Sequence, residues 1–214
     1  MGTEQQVQTT VAEALTSEQA ALATVLHDVT PDQWTAPSLC PAWTIQEVVT
    51  HLAFHIHRDG FRETFGSTAK QQAILVERAQ ADTPARLVAW FESPVPTAAA
   101  ASPVNLAELV IHGQDVRRAL AVGHTFPDAL LDQCLDRCTS VSGNLFVVGR
   151  GRRLGHGLRL VATDTGWAKG SGPVVTGPAE ALLMAVAGRA AAVDDLRGPG
   201  VEALARRLGT DSTG

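Results

Sequence analysis

The sequence predicts a mainly α-helical protein, an antiparallel helix bundle followed by a small α+β domain. Two observations carry this. As far as about residue 150 the apolar residues recur at helical spacing, and capping and proline signals punctuate runs joined by short connections. After Gly149 the texture changes: glycine and arginine dominate as far as Gly157, and the next residues alternate like a strand. The change sets an expected boundary, with residues 1–150 as the bundle and 151–214 as the appendage.

Val7, Val11, Leu15, Leu22, Val25 and Leu26 mark a first helix. Thr30-Pro31-Asp32-Gln33 is a capping box with proline at the first helical position, opening one short turn that ends in Trp34. Pro37 and Pro41 bracket a loop, and Thr44-x-x-Glu47 is a second capping box, which accounts for Glu47 without any chemistry. It opens a helix with the core stripe Ile45, Val48, Val49, Leu52 and Ile56. One further helix is expected from about Thr68 to Phe91, ending before a Pro/Ala loop, SPVPTAAAASP. Ser102-Pro103 reads as the start of a helix reaching about Val122. Another begins near Pro127, with Leu130, Leu131, Cys134, Leu135, Cys138 and Val141 on its apolar face. In the appendage, Leu158 to Thr163 reads as a strand, Asp164-Thr165-Gly166 as a turn and Trp167 to Thr176 as a second extended piece. Two short helices follow, Ala179 to Ala191 and Val201 to Leu208.

Composition limits the function classes. The 214 residues carry a net charge of −5, 45% hydrophobic and 18% charged residues, typical of a globular chain. That balance leaves no electrostatic footprint for nucleic acid; Arg150, Arg152 and Arg153 in GRGRRLGHG read as a solvated, Gly-rich linker. No apolar run approaches a membrane span, and MGTEQQVQTT lacks a signal-peptide core. The three cysteines include no CxxC, and Cys134 and Cys138 read as core. A cytoplasmic protein is expected.

Three histidines fall within WTIQEVVTHLAFHIH. His51 flanks the core stripe of its helix, His55 lies one turn further on, at the site or at the wet edge, and His57 is expected to be exposed. Later, Glu108 and His112 stand four apart beside the stripe Leu106, Leu109, Gly113, Val116 and Leu120. Inward carboxylate and imidazole groups need a partner. Two helices offering such groups suit a divalent metal, and three protein ligands would leave one position open, as in catalytic sites. The plainer alternative makes His51 a core histidine bonded to a neighbouring polar group. Asp115, three residues beyond His112, either orients it or pairs on the surface with Arg117 or Arg118. His27, His124 and His156 carry no signal.

PSLCPAWTIQEVVTHLA, ELVIHGQDVRRAL and GLRLVATDTGWAKGSGPVVTGPAEALLMAVAGR together resemble the mycothiol-dependent maleylpyruvate isomerase family. That family belongs to the wider DinB-like and YfiT-like metal-binding bundles. The resemblance implies a DinB-like antiparallel four-helix bundle with the family's C-terminal domain. It implies a divalent metal, usually zinc (or another ion such as Ni2+), on His51, Glu108 and His112. It makes Arg189 a candidate for the catalytic arginine. The segment between His51 and Glu108 is shorter than in the isomerase itself, so the substrate stays open. The implied activity is isomerisation or S-transfer on a small electrophile, with mycothiol as cosubstrate. The alternatives are a metal-dependent hydrolase using water, or a non-catalytic metal-stabilised bundle that binds a small molecule or protein. A monomer or homodimer with no nucleic-acid or membrane partner is expected.

Overall fold

The structure, a computed structural model, describes residues 2–41, 43–57, 68–140 and 151–211. It is mainly helical, with one small sheet, and it divides into two units, 1–123 and 124–214.

The first unit holds seven helices among the described residues. Helix α1 (Gly2–His27) buries Val11, Leu15, Leu22 and Leu26 as its spacing predicts; the Val7 side chain lies outside the described residues. The short α2 (Pro31–Trp34) has the expected capping box: Thr30 N–H donates to Gln33 Oε1 (2.9 Å) and Gln33 N–H to Thr30 Oγ1 (3.4 Å). The box before α3 (Ile45–His57) forms in the same way, with Thr44 N–H donating to Glu47 Oε2 (2.7 Å) and Glu47 N–H to Thr44 Oγ1 (3.2 Å). All five residues of the α3 stripe are buried.

The single helix expected from Thr68 to Phe91 is two, α4 (Thr68–Ala81) and α5 (Pro84–Phe91). Proline inside a helix lacks the N–H that the ladder needs and crowds the carbonyl four residues back, so Pro84 ends one helix and starts the next. Thr83 caps it, its Oγ1 accepting from Arg86 N–H. The Pro/Ala loop contains a further short helix, α6 (Thr97–Ala100). Ser102 then caps α7 (Pro103–Ala119), which ends short of the expected Val122 because Ala121 turns to φ +55°. Four helices close a ring, α1 on α7, α7 on α3, α3 on α5 and α5 on α1, and α4 also packs on α3. Helix α7 is buried on every face from Asn105 to Arg117, more than the one-sided stripe of its sequence suggests.

The second unit starts with α8 (Asp128–Thr139), where Leu130, Leu131, Cys134, Leu135 and Cys138 are buried as expected; Val141 and Arg150 lie outside the described residues. Contacts place α8 here, whereas the sequence texture placed the change of domain after residue 150. The reason is its partner: the α8 apolar face packs on α10 (Ala179–Val186), an almost wholly buried helix. The stretch expected to be a solvated linker contains α9 (Gly151–Gly155). Arg152 and Arg153 are indeed exposed, but Leu154 is core and Gly151 packs so tightly that a Cβ would meet the Cys138 carbonyl.

Strands β1 (Arg159–Ala162), β2 (Ala168–Gly170) and β3 (Val174–Gly177) form a sheet in the order β2-β1-β3, with β2 antiparallel and β3 parallel to β1. The expected single piece from Trp167 to Thr176 is thus two strands. Arg159 pairs with Gly170 on one side and Val174 on the other, so the connection passes round the start of β1. Gly170 (φ +85°) and Gly172 (φ +122°) permit this, since a Cβ at either would collide with the backbone before β1. A 3₁₀ turn (Ala190–Asp195) and α11 (Val201–Asp211) complete the unit. Among the described residues no helix is long and apolar enough to cross a membrane.

Candidate metal centre

Helices α3 and α7 pack together, and their buried polar residues meet. His51 Nε2 lies 3.2 Å from Glu108 Oε2, and His112 Nε2 lies 3.3 Å from the same oxygen. The i, i+4 spacing on α7 brings Glu108 under His112, and the pairing of α3 with α7 adds His51. The imidazole rings stand 4.7 Å apart at 70°. On the far side of His112, Nδ1 lies 2.9 Å from Asp115 Oδ2, and Asp115 is 0% exposed. Asp115 is therefore a buried neighbour of His112 and not a surface acid. Trp43, just before the capping box, stacks on His112 (5.7 Å, 21°) and tilts against His51 (4.9 Å).

Burial drives His51 down to about 4, so its imidazole is neutral. Burial works against the charge on Glu108 as well, but hydrogen bonds from His112 and His51 outweigh it and hold the carboxyl well below its usual range. At His112 burial is again opposed, here by bonds with Asp115, Cys40 and Glu108, and the imidazole is held well above its usual value.

These residues fit a divalent ion. Ligands at about 2.0–2.1 Å in a tetrahedron stand about 3.3 Å apart, close to the two spacings around Glu108 Oε2. Imidazole nitrogen and carboxylate oxygen are both zinc donors, and the ligand atoms of His51, Glu108 and His112 all lie within 4.8 Å of one another.

Of the other sequence candidates, His55 adjoins the cluster, its ring 4.7 Å from His51, yet it is not among the converging ligand atoms; its Nδ1 is buried without a hydrogen-bond partner. His57, expected to be exposed, is half-buried and bonds the Phe91 carbonyl through Nε2 (3.2 Å), and burial lowers its pKa. His27 pairs with Glu92 at 2.6 Å, and Glu47 serves its cap. Arg189, in the second unit, precedes the 3₁₀ turn and donates from Nη1 to the Ala187 carbonyl. Sequence reasoning missed Trp43 and Cys40. Their signal was present in the run from Pro37 to Trp43, but only the tertiary fold lays that loop against α7, where Leu39 N–H donates to the Asp115 carbonyl (3.2 Å).

Residues 15–103 match the family described as the mycothiol maleylpyruvate isomerase N-terminal domain. The match spans less than half of the chain. The family domain takes in His51 and Trp43 and stops before Glu108. Two solved structures share the fold: the mycothiol-dependent maleylpyruvate isomerase (TM-score 0.57, 14% identity) and a histidine-to-alanine mutant of it (0.56, 15%), each over 92% of both chains. Among curated proteins no sequence match is found.

Proposed function

We propose that this protein is a metal-dependent enzyme that takes a low-molecular-weight thiol, mycothiol, as cosubstrate and acts on a small electrophile by isomerisation or S-transfer. The observation that carries the reading is the convergence of His51 and His112 on one oxygen of Glu108, in a chain whose residues 15–103 match the isomerase's N-terminal domain family. His51, Glu108 and His112 would hold the ion, zinc by donor type, with nickel as the alternative. A divalent ion supplies acidity to a coordinated thiol, making it a thiolate at neutral pH.

The chain's own residues prepare the site. Burial keeps His51 neutral, the protonation state in which an imidazole can bind a metal. Asp115 fixes the His112 ring through Nδ1 and so directs Nε2 to the ion. Trp43 covers both rings with an apolar face that limits water. The nucleophile is external in this reading, since Cys134 and Cys138 are core and Cys40 is engaged with His112. Free cysteines and a reduced thiol cosubstrate suit the cytoplasm.

The test is to give metal-loaded protein a cis-configured unsaturated keto acid, maleylpyruvate first, with and without mycothiol. Conversion that needs the thiol is the expected result. Equal turnover without thiol would replace this reading with hydrolysis. No thiol binding by calorimetry would replace it with a non-catalytic role.

A further inference from the structure

Cys134 and Cys138 are core residues of the second unit, whereas Cys40 is half-buried in the loop that lies on α7. That loop is tightly built. Ser38 Oγ accepts from Cys40 N–H (3.1 Å) and donates to the Trp43 carbonyl (2.9 Å), Trp43 N–H donates to the Cys40 carbonyl (3.1 Å), and Leu39 is tied to Asp115. The loop's anchor and the carboxylate that orients His112 belong to one residue. As a result the Cys40 sulfur, a His112 ring nitrogen and an Asp115 oxygen all lie within 4.8 Å of one another.

A thiolate, an imidazole and a carboxylate are the donors of tetrahedral zinc sites, and thiolate shifts preference toward soft ions. We propose that Cys40, His112 and Asp115 form a second metal-binding set, which shares the His112 imidazole with the His51–Glu108–His112 set and takes thiophilic divalent ions such as Cd2+ and Zn2+. On binding, Cys40 releases its thiol proton to solvent, and the ion replaces the proton that lies between His112 Nδ1 and Asp115. Two negative ligands then balance the dication. Asp115 cannot orient His112 for the first set while it holds an ion of its own, so the second set opposes the first. Excess thiophilic metal should therefore inhibit the enzyme.

The experiment titrates the metal-free full chain with Cd2+ and reads the ultraviolet thiolate-to-cadmium absorption, which the first set cannot produce. Wild type should show a saturable band worth one thiolate per chain. His51→Ala should keep it, and Cys40→Ser should lose it while still binding Cd2+ silently. Zn2+ at the second equivalent should bind at least tenfold more weakly in Cys40→Ser. Absence of the band in wild type, or its survival in Cys40→Ser, overturns the proposal. Loss of the band in His51→Ala does so too, since Cys40 and His51 would then serve one ion. If Cys40→Ser does not fold, alkylating Cys40 in folded wild type, with Cys134 and Cys138 shown by mass to be free, replaces that arm. Loss of silent binding in His51→Ala bears only on the first set.

Discussion

His112 and Asp115, three residues apart on α7, are joined at 2.9 Å in a place that solvent does not reach. Replacing Asp115 by Asn keeps the shape but removes the negative acceptor. Metal affinity should fall about 10- to 100-fold, the usual effect of losing such a partner. Competition with a chromophoric chelator measures it. An unchanged affinity would mean that Asp115 does not support a ligand.

The ligand set predicts a steeper loss. His51→Ala, Glu108→Ala and His112→Ala should each reduce affinity beyond the Asp115→Asn effect, and the triple variant should purify without stoichiometric metal. Metal content by mass spectrometry decides this, and full occupancy of the triple variant would remove the site.

Metal uptake should depend on pH with a definite sign. The metal-free His112 is held above its usual value, so near neutrality it is protonated and the ion must displace that proton. Affinity should drop about tenfold per pH unit as pH falls below the His112 value, by mass action on one proton. His51, lowered to about 4, should add a second proton only in strongly acidic solution. Calorimetry in buffers of different ionisation enthalpy should find one proton released per ion at pH 7; none would contradict the charge assignment.

Two stability changes test the fold without the metal. Thr44→Ala breaks the capping box of α3 and should cost about 1 kcal/mol in denaturant unfolding. Ala121→Gly should act the other way, stabilising by about 1 kcal/mol, because alanine is strained at φ +55° and glycine is not.

What could be read in advance was local. The caps at Thr30, Thr44 and Ser102 were legible because donor and acceptor lie within three residues of one another. The Thr83-Pro84 break carries the same signal as Ser102-Pro103, yet the helical period runs on across it and hid the boundary. The membership of α8 was not legible, since its apolar pattern resembles those of the earlier helices and only its packing on α10 assigns it. In α9, glycine reads as flexible from composition, while at Gly151 it allows close approach to the Cys138 carbonyl. His51, Glu108 and His112 stood out because polar groups beside a core stripe need a partner. Trp43 and Cys40 did not, because their place depends on where a loop lands on a distant helix.

The all-round burial of α7 also limits how its sequence can change length. One residue added between Glu108 and His112 would rotate everything beyond it by about 100°. Asp115 would swing away from the cluster and Val116 out of the core in the same step. A length change in that segment therefore has no neutral position, and the spacing 108, 112, 115 is locked by packing as firmly as by chemistry. The loop from Pro37 to Pro41 has no helical phase to keep, but its bond from Leu39 to the Asp115 carbonyl ties its place to the same helix.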